Sequence, residues 1–174
     1  MEGLTSTIHI GENMNIRRLI RLHILCLAVA FVTGCATKLP PRDQMKSETA
    51  AFQLPRMPSE EMAIVYVVRP SALGGLVRFN VFVDDQEEAS EVGYTRAREY
   101  IYFEVKPGEH KVYSKAENWA ENLISAKAGD VVFLQQRVYM GFLMARNDLN
   151  KIDETEGAYQ VKNLTLGTLI KPSK

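Results

Sequence analysis

The chain has 174 residues, with 21 basic and 21 acidic side chains and 46% hydrophobic residues. That length is enough for one domain with a substantial core. Balanced charge and the lack of a clustered Lys/Arg stripe argue against nucleic-acid binding.

In chain order, the first distinctive stretch is Ile24–Cys35, ILCLAVAFVTGC. Arg17, Arg18 and Arg21 precede it, and no acidic residue lies between Met14 and Cys35. A basic segment, a short apolar run and a small-residue cleavage site make the pattern of a secretory signal. The apolar run Ile24–Val32 would be about 13 Å long as a helix at about 1.5 Å per residue. A bilayer core is about 30 Å thick, so the run is too short for a permanent span. The ending Val32-Thr33-Gly34-Cys35 resembles the lipobox of bacterial lipoproteins. That resemblance implies cleavage before Cys35 and lipid attachment to its thiol.

Residues 1–34 are therefore expected to be a signal peptide. Either Met14 is the initiator and Met1–Asn13 a gene-start artefact, or Met1–Asn13 belongs to an unusually long n-region. The leader takes three basic and two acidic residues with it, leaving 18 against 19. Cys26 goes with the leader and Cys35 would carry lipid, so no thiol remains for a disulfide, a metal or nucleophilic catalysis. By the same resemblance, Ala36 after the cysteine, where an Asp often retains such proteins in the inner membrane, favours the outer membrane.

Residues 35–60 are expected to be the lipidated cysteine and a flexible tether. Pro40, Pro41, Pro55 and Pro58 stand among polar residues with no apolar period. Fully extended, this tether would reach on the order of 75 Å at the polyproline rise of about 3.1 Å per residue.

Residues 61–174 are expected to be a β-sandwich domain. Met62–Val68 is apolar at every position, which suits a strand buried on both faces, and Arg69-Pro70 ends it. Arg78–Asp84 alternates, with Phe79, Val81 and Val83 on one face. Asp84-Asp85 reads as a turn, because Asp tolerates left-handed geometry. Tyr100–Val105 and His110–Ala116 flank Lys106-Pro107-Gly108-Glu109, so a hairpin is expected. Its register would set Val105 opposite His110, Glu104 opposite Lys111, Phe103 opposite Val112 and Tyr102 opposite Tyr113. Further strands are expected at Asn122–Ala128, Val131–Met140 and Phe142–Ile152, with Asp153 as a helix cap and Glu156 three residues on. Gly157 and high polarity should keep that helix short. The fold class is all-β, a single sandwich of six or seven antiparallel strands with one short C-terminal helix.

Ala63–Pro70, the Phe79–Asp84 strand, Phe103–His110, Ala128-Gly129 and the Asp153–Gly157 helix start together resemble a bacterial lipoprotein family classed as a domain of unknown function. The resemblance spans Met62 to Asn163, and the segment Glu87–Arg98 departs from it. It implies an all-β domain behind a lipid anchor and brings no catalytic residues.

The candidate chemistry is sparse. His110 is the one histidine after the signal, and no nucleophile motif accompanies it. Its place in the hairpin predicts a cross-strand contact with Val105. The acidic run Asp84–Glu88 with Glu91 lacks the EF-hand glycine and reads as a solvated tip, so no metal and no cofactor are expected. Arg69 is expected to pair with a carboxylate at the sandwich end or to hold an anion. Tyr100, Tyr102 and Tyr113 would share one face beside Lys111 and Lys115, either as packing or as a recognition surface. Trp119, read as a loop residue, would be a binding anchor or a plug for the core. The possible binding face is thus Arg69, Tyr102, Tyr113 and Trp119, with Cys35 as the lipid site. The expected function is a non-catalytic, membrane-anchored lipoprotein of the cell envelope that binds an envelope protein. A small-ligand or glycan binder is the alternative.

Overall fold

In the computed structural model, residues 39–170 are described. The predicted signal and Cys35 lie outside them. A strand apolar on both faces must be covered on both, and β1 (Ala63–Arg69) is buried at all seven positions. Around it stand β4 (Glu99–Val105), β7 (Val131–Met140) and β8 (Ala145–Ile152). With β9 (Thr165–Leu166) they form sheet one, in the order β8-β7-β1-β4-β9. Sheet two has the order β10-β3-β2-β5-β6. Its strands are β2 (Phe79–Val83), β3 (Glu91–Thr95), β5 (Gly108–Lys115), β6 (Trp119–Ala126) and β10 (Thr168–Leu169). Two helices complete the described residues, α1 (Arg42–Thr49) and α2 (Glu154–Asn163). The expectation of two packed sheets holds, but with ten strands rather than six or seven.

The inner face of sheet one (Val65, Val67, Ile101, Phe103, Leu134 and Leu149 among others) meets Val81, Val112 and Ile124 of sheet two in the main core. The other residues of β1, Ile64, Tyr66 and Val68, enter a second core with Tyr100, Phe133 and Val161 on the outer face of sheet one. Tyr66 stacks on Phe133 with centroids 5.5 Å apart. Its hydroxyl donates to the Arg56 carbonyl at 2.6 Å, and burial pushes its pKa up to about 12.

Three expectations are corrected. First, the sheets are mixed, because β1 runs parallel to β7 and β4 parallel to β9. Second, β4 and β5 do not form a hairpin. β4 pairs along its whole length with β1, from Ala63↔Val105 to Arg69↔Glu99, while β5 pairs with β2 and β6. Lys106-Pro107 therefore carries the chain from one sheet to the other. Gly108, at φ +144°, takes a backbone conformation that side-chain-bearing residues rarely adopt. The doubly apolar β1 offers β4 more burial than β5 could.

Third, residues 39–60 are not all tether. α1 lies beside α2, with Met45 buried, Arg42 paired to Asp153 at 2.7 Å and Lys162 donating to the Glu48 carbonyl. Phe52 and Leu54 then pack against the second core. Among the described residues no helix is long and apolar enough to cross a membrane.

The α2 start matches its expectation, since the Asp153 side chain accepts from the Glu156 N–H at 3.1 Å. The helix runs ten residues, longer than expected, because Gly157 serves packing. A Cβ there would lie 2.2 Å from Phe133 Cγ. We therefore expect Gly157→Ala to destabilise the fold by about 1–3 kcal/mol, despite a helix-propensity gain of about 1 kcal/mol. Urea denaturation of the two proteins checks this; equal midpoints would refute it.

Candidate interaction surfaces

The residues singled out by sequence do not form one site. Arg69 is fully buried at the end of β1. Its guanidinium donates to the carbonyls of Val77 at 2.6 Å, Gly74 at 2.8 Å and Leu73 at 3.0 Å, and lies 3.8 Å from the Phe79 ring centroid. The fork thus ties the 70–78 loop to the core rather than closing a salt bridge, while Glu99, opposite Arg69 across the strands, acts on it electrostatically. Burial draws its pKa down to about 10, so it remains charged at neutral pH.

Tyr102 and Tyr100 sit on the outer face of sheet one, against Tyr66 and under the Phe52–Leu54 segment. Tyr113 is on sheet two, so the three tyrosines share no face. His110 pairs across the strands with Ile124, not Val105. Its Nδ1 faces the Asp84 carboxylate at 2.9 Å and its Nε2 the Lys106 carbonyl at 2.8 Å. Asp84, at φ +70°, does turn the chain as expected. Among the described residues, no group of three or more His, Cys, Asp or Glu could hold a metal ion.

Tyr113 and Trp119 do come together. Both helices lie on the sheet-one side, while sheet two presents Lys111, Lys115, Glu121 and Leu123 to the exterior. On that open face Trp119, the first residue of β6 rather than a loop residue, packs on Phe82 at 5.2 Å and edge-on to Tyr113 at 6.3 Å. Lys115 Nζ lies 5.0 Å from its ring. Trp119 covers Phe82 and Tyr113 while remaining 38% exposed itself. Beside it is an open groove of about 350 Å³, lined by Arg78, Asn80, Phe82, Glu88, Glu91 and Lys115 among others. The alternation of β2 and β5 in the sequence marks this face. Its partner strand was missed through the false hairpin.

A second surface went unrecognised in the sequence. The β7–β8 connection carries Met140, Phe142, Leu143 and Met144, exposed by 80%, 93%, 82% and 53%. The run Met140-Gly141-Phe142-Leu143-Met144 reads as strand by composition; its flanks place it instead at a turn. The Glu117 carboxylate accepts from the backbone N–H groups of Phe142 at 3.1 Å, Leu143 at 2.9 Å and Met144 at 2.6 Å. These hydrogen bonds hold its pKa below the usual carboxylate value. One carboxylate thus fixes an apolar tip in place.

Compared with known proteins, residues 59–147 match the family described as protein of unknown function (DUF2846). An uncharacterized protein of Haemophilus influenzae is 24% identical over 136 residues, covering 78% of this chain and 77% of that relative. No solved structure matches.

The clamp predicts a pH dependence. Because the carboxylate is depressed in the folded state, its contribution is present above the unfolded pKa and is lost as pH falls through the lower folded value. Glu117→Ala should accelerate amide exchange at Phe142, Leu143 and Met144 by about tenfold at neutral pH, with β4 unaffected. Exchange rates measured by NMR test this; unchanged rates at all three amides would remove the clamp.

Proposed function

The chain belongs to this family of unknown function, and on that premise we propose that it is a lipid-anchored bacterial envelope protein whose β domain is a non-catalytic protein-interaction module. The anchor rests on Arg17, Arg18 and Arg21, the short apolar run and Val32–Cys35. The outer membrane is the proposed location, from Ala36. The observation that carries the interaction role is the Trp119–Phe82–Tyr113 cluster on the open face of sheet two. Of the three, Trp119 keeps its ring partly in solvent over the buried Phe82 and Tyr113, and a large amphipathic ring so held is a typical interface anchor.

The absence of catalysis rests on His110. Its Nδ1 faces the Asp84 carboxylate and its Nε2 the Lys106 carbonyl, so both ring nitrogens are engaged within the chain and neither is set against a nucleophile. The first segment of the leash is short on this reading. Six residues separate Cys35 from Arg42, and the seven steps between them reach at most about 24 Å at about 3.4 Å per step.

The groove beside Trp119 favours a second reading, a small-ligand or glycan site, since Lys115, Arg78 and Asn80 would give polar contacts next to a stacking ring.

Two measurements test the proposal. Cys35→Ala should stop lipid labelling and leave unprocessed precursor; normal maturation of that variant would sink the anchor. In-cell crosslinking of the tagged lipidated protein should enrich one envelope protein, and Trp119→Ala should cut that yield by about tenfold. If nothing enriches while peptidoglycan fragments change Trp119 fluorescence, the glycan reading replaces the interaction role.

A further inference from the structure

The apolar tip between β7 and β8 is joined to the start of Trp119's strand by the Glu117 clamp but offers a surface of different chemistry, which calls for its own occupant. β7 runs parallel to β1 with Val68↔Gln135 and continues to Met140, so the tip projects beyond the Arg69 end of sheet one. The other end of β8 leads to Asp153, where Arg42 of α1 is paired. The tip and the start of α1 therefore sit at opposite ends of sheet one, so the short leash from Cys35 lets the tip reach the anchoring bilayer only when the sheet lies inclined to it.

Three features describe what the tip can meet. Its apex offers apolar, uncharged side chains without a hydrogen-bond donor: Met140, Phe142, Leu143 and Met144. The backbone N–H groups of the last three are satisfied within the chain by Glu117, a condition for entering a medium without water. Below the apex the surface turns amphipathic and basic. Tyr139, 45% exposed, pairs across the strands with exposed Arg146, and exposed Arg137 lies on the same face of β7. Exposed Arg78, Arg96 and Arg98 belong to the loops at this end. The carboxylates here are engaged or opposed: Glu117 by the tip and by Arg146, Glu99 by the Arg96 N–H, and Asp148 across from Arg137, which leaves Arg78, Arg96 and Arg98 as the surplus of positive charge at this end. Leu76, 98% exposed, stands in the loop whose Gly74 abuts Ala145 at the base of the tip.

We propose that the β7–β8 tip is a membrane-inserting loop. Phe142 and Leu143 enter the boundary between headgroups and acyl chains of an anionic phospholipid bilayer, Tyr139 lies at headgroup level, and Arg137 and Arg146 meet lipid phosphates. An apolar apex over an aromatic and basic collar is the order of groups that a bilayer interface itself presents in reverse. The envelope reading above supplies the setting. The insertion itself rests on the tip.

The test uses the mature protein reconstituted into vesicles of phosphatidylethanolamine and phosphatidylglycerol. Trp119→Phe with Phe142→Trp leaves one indole, at the apex. Bromine atoms placed high on the acyl chains should quench it, and its emission should shift to the blue. High salt should weaken the quenching, as screening of the arginines requires. Should Trp119→Phe disturb the fold, Leu143→Cys carrying an environment-sensitive dye gives the same readout with Trp119 kept. An unquenched apex in protein held on the vesicles by its lipid overturns the insertion and leaves the anchor standing; the tip is then a docking knob for a protein. If Cys35 bears no lipid, the anchor fails, and the same indole is read after mixing free protein with the vesicles. In that arm Phe142→Ser with Leu143→Ser should lower vesicle partitioning by at least about tenfold, and no binding of the parent protein overturns the proposal.

Discussion

Everything described in this fold answers to β1. Seven consecutive residues at near-zero exposure cannot be satisfied by one sheet face, because alternate side chains point to opposite sides. Val65 and Val67 require sheet two; Ile64, Tyr66 and Val68 require a second cover. That cover comes from α2 behind the strands and from Phe52 and Leu54 ahead of them. Burying a side chain of this size is worth about 1.5–3 kcal/mol, so ordering the 39–60 segment is repaid by the apolar surface it closes over.

The same demand explains which parts were legible in the sequence. β1 itself, the Asp84 turn and the Asp153 cap were readable because each rests on a local signal: a run, a left-handed residue, a side chain three residues from its N–H. The β4–β5 hairpin was a sound local inference defeated by a distant competitor. Its turn residues and charge pairing were right for a hairpin, but β1 offered β4 seven partners inside the core. The fate of Tyr102 and Tyr113 followed from that exchange, and so did the loss of the predicted joint face. In 39–60 the prolines and charges masked Met45, Phe52 and Leu54, which are too few to show a period yet enough to hold a short segment down. Trp119 and Tyr113 were chosen for their chemistry and do meet, through β5–β6 pairing at Tyr113↔Glu121 and Lys115↔Trp119.

The end of the sandwich near the tip is stiffened by polar groups rather than by further apolar packing. Arg69 gathers three loop carbonyls. Between the sheets Gln136 accepts from Thr95 and donates to Ser114 at 2.8 Å, all three fully buried. Buried polar groups of this kind add little net stability, but few arrangements let them pair, and here only the Arg69 Nε among them is left without a hydrogen-bond partner. An exposed apolar tip benefits from such a base, since its side chains have no packing of their own to position them.

The turn 116–118 then links the two surfaces. Glu117 holds the tip, Asn118 Nδ2 donates to the Asn147 carbonyl at 2.9 Å, and the Asn147 N–H returns to Asn118 Oδ1 at 2.9 Å. Lys115 and Trp119, at either edge of this turn, belong to the aromatic face of sheet two. A displacement of the tip large enough to break the Glu117 hydrogen bonds must act on a turn whose next residues carry Trp119. The aromatic face and the apolar tip thus adjoin the same short connection, residues 115–119.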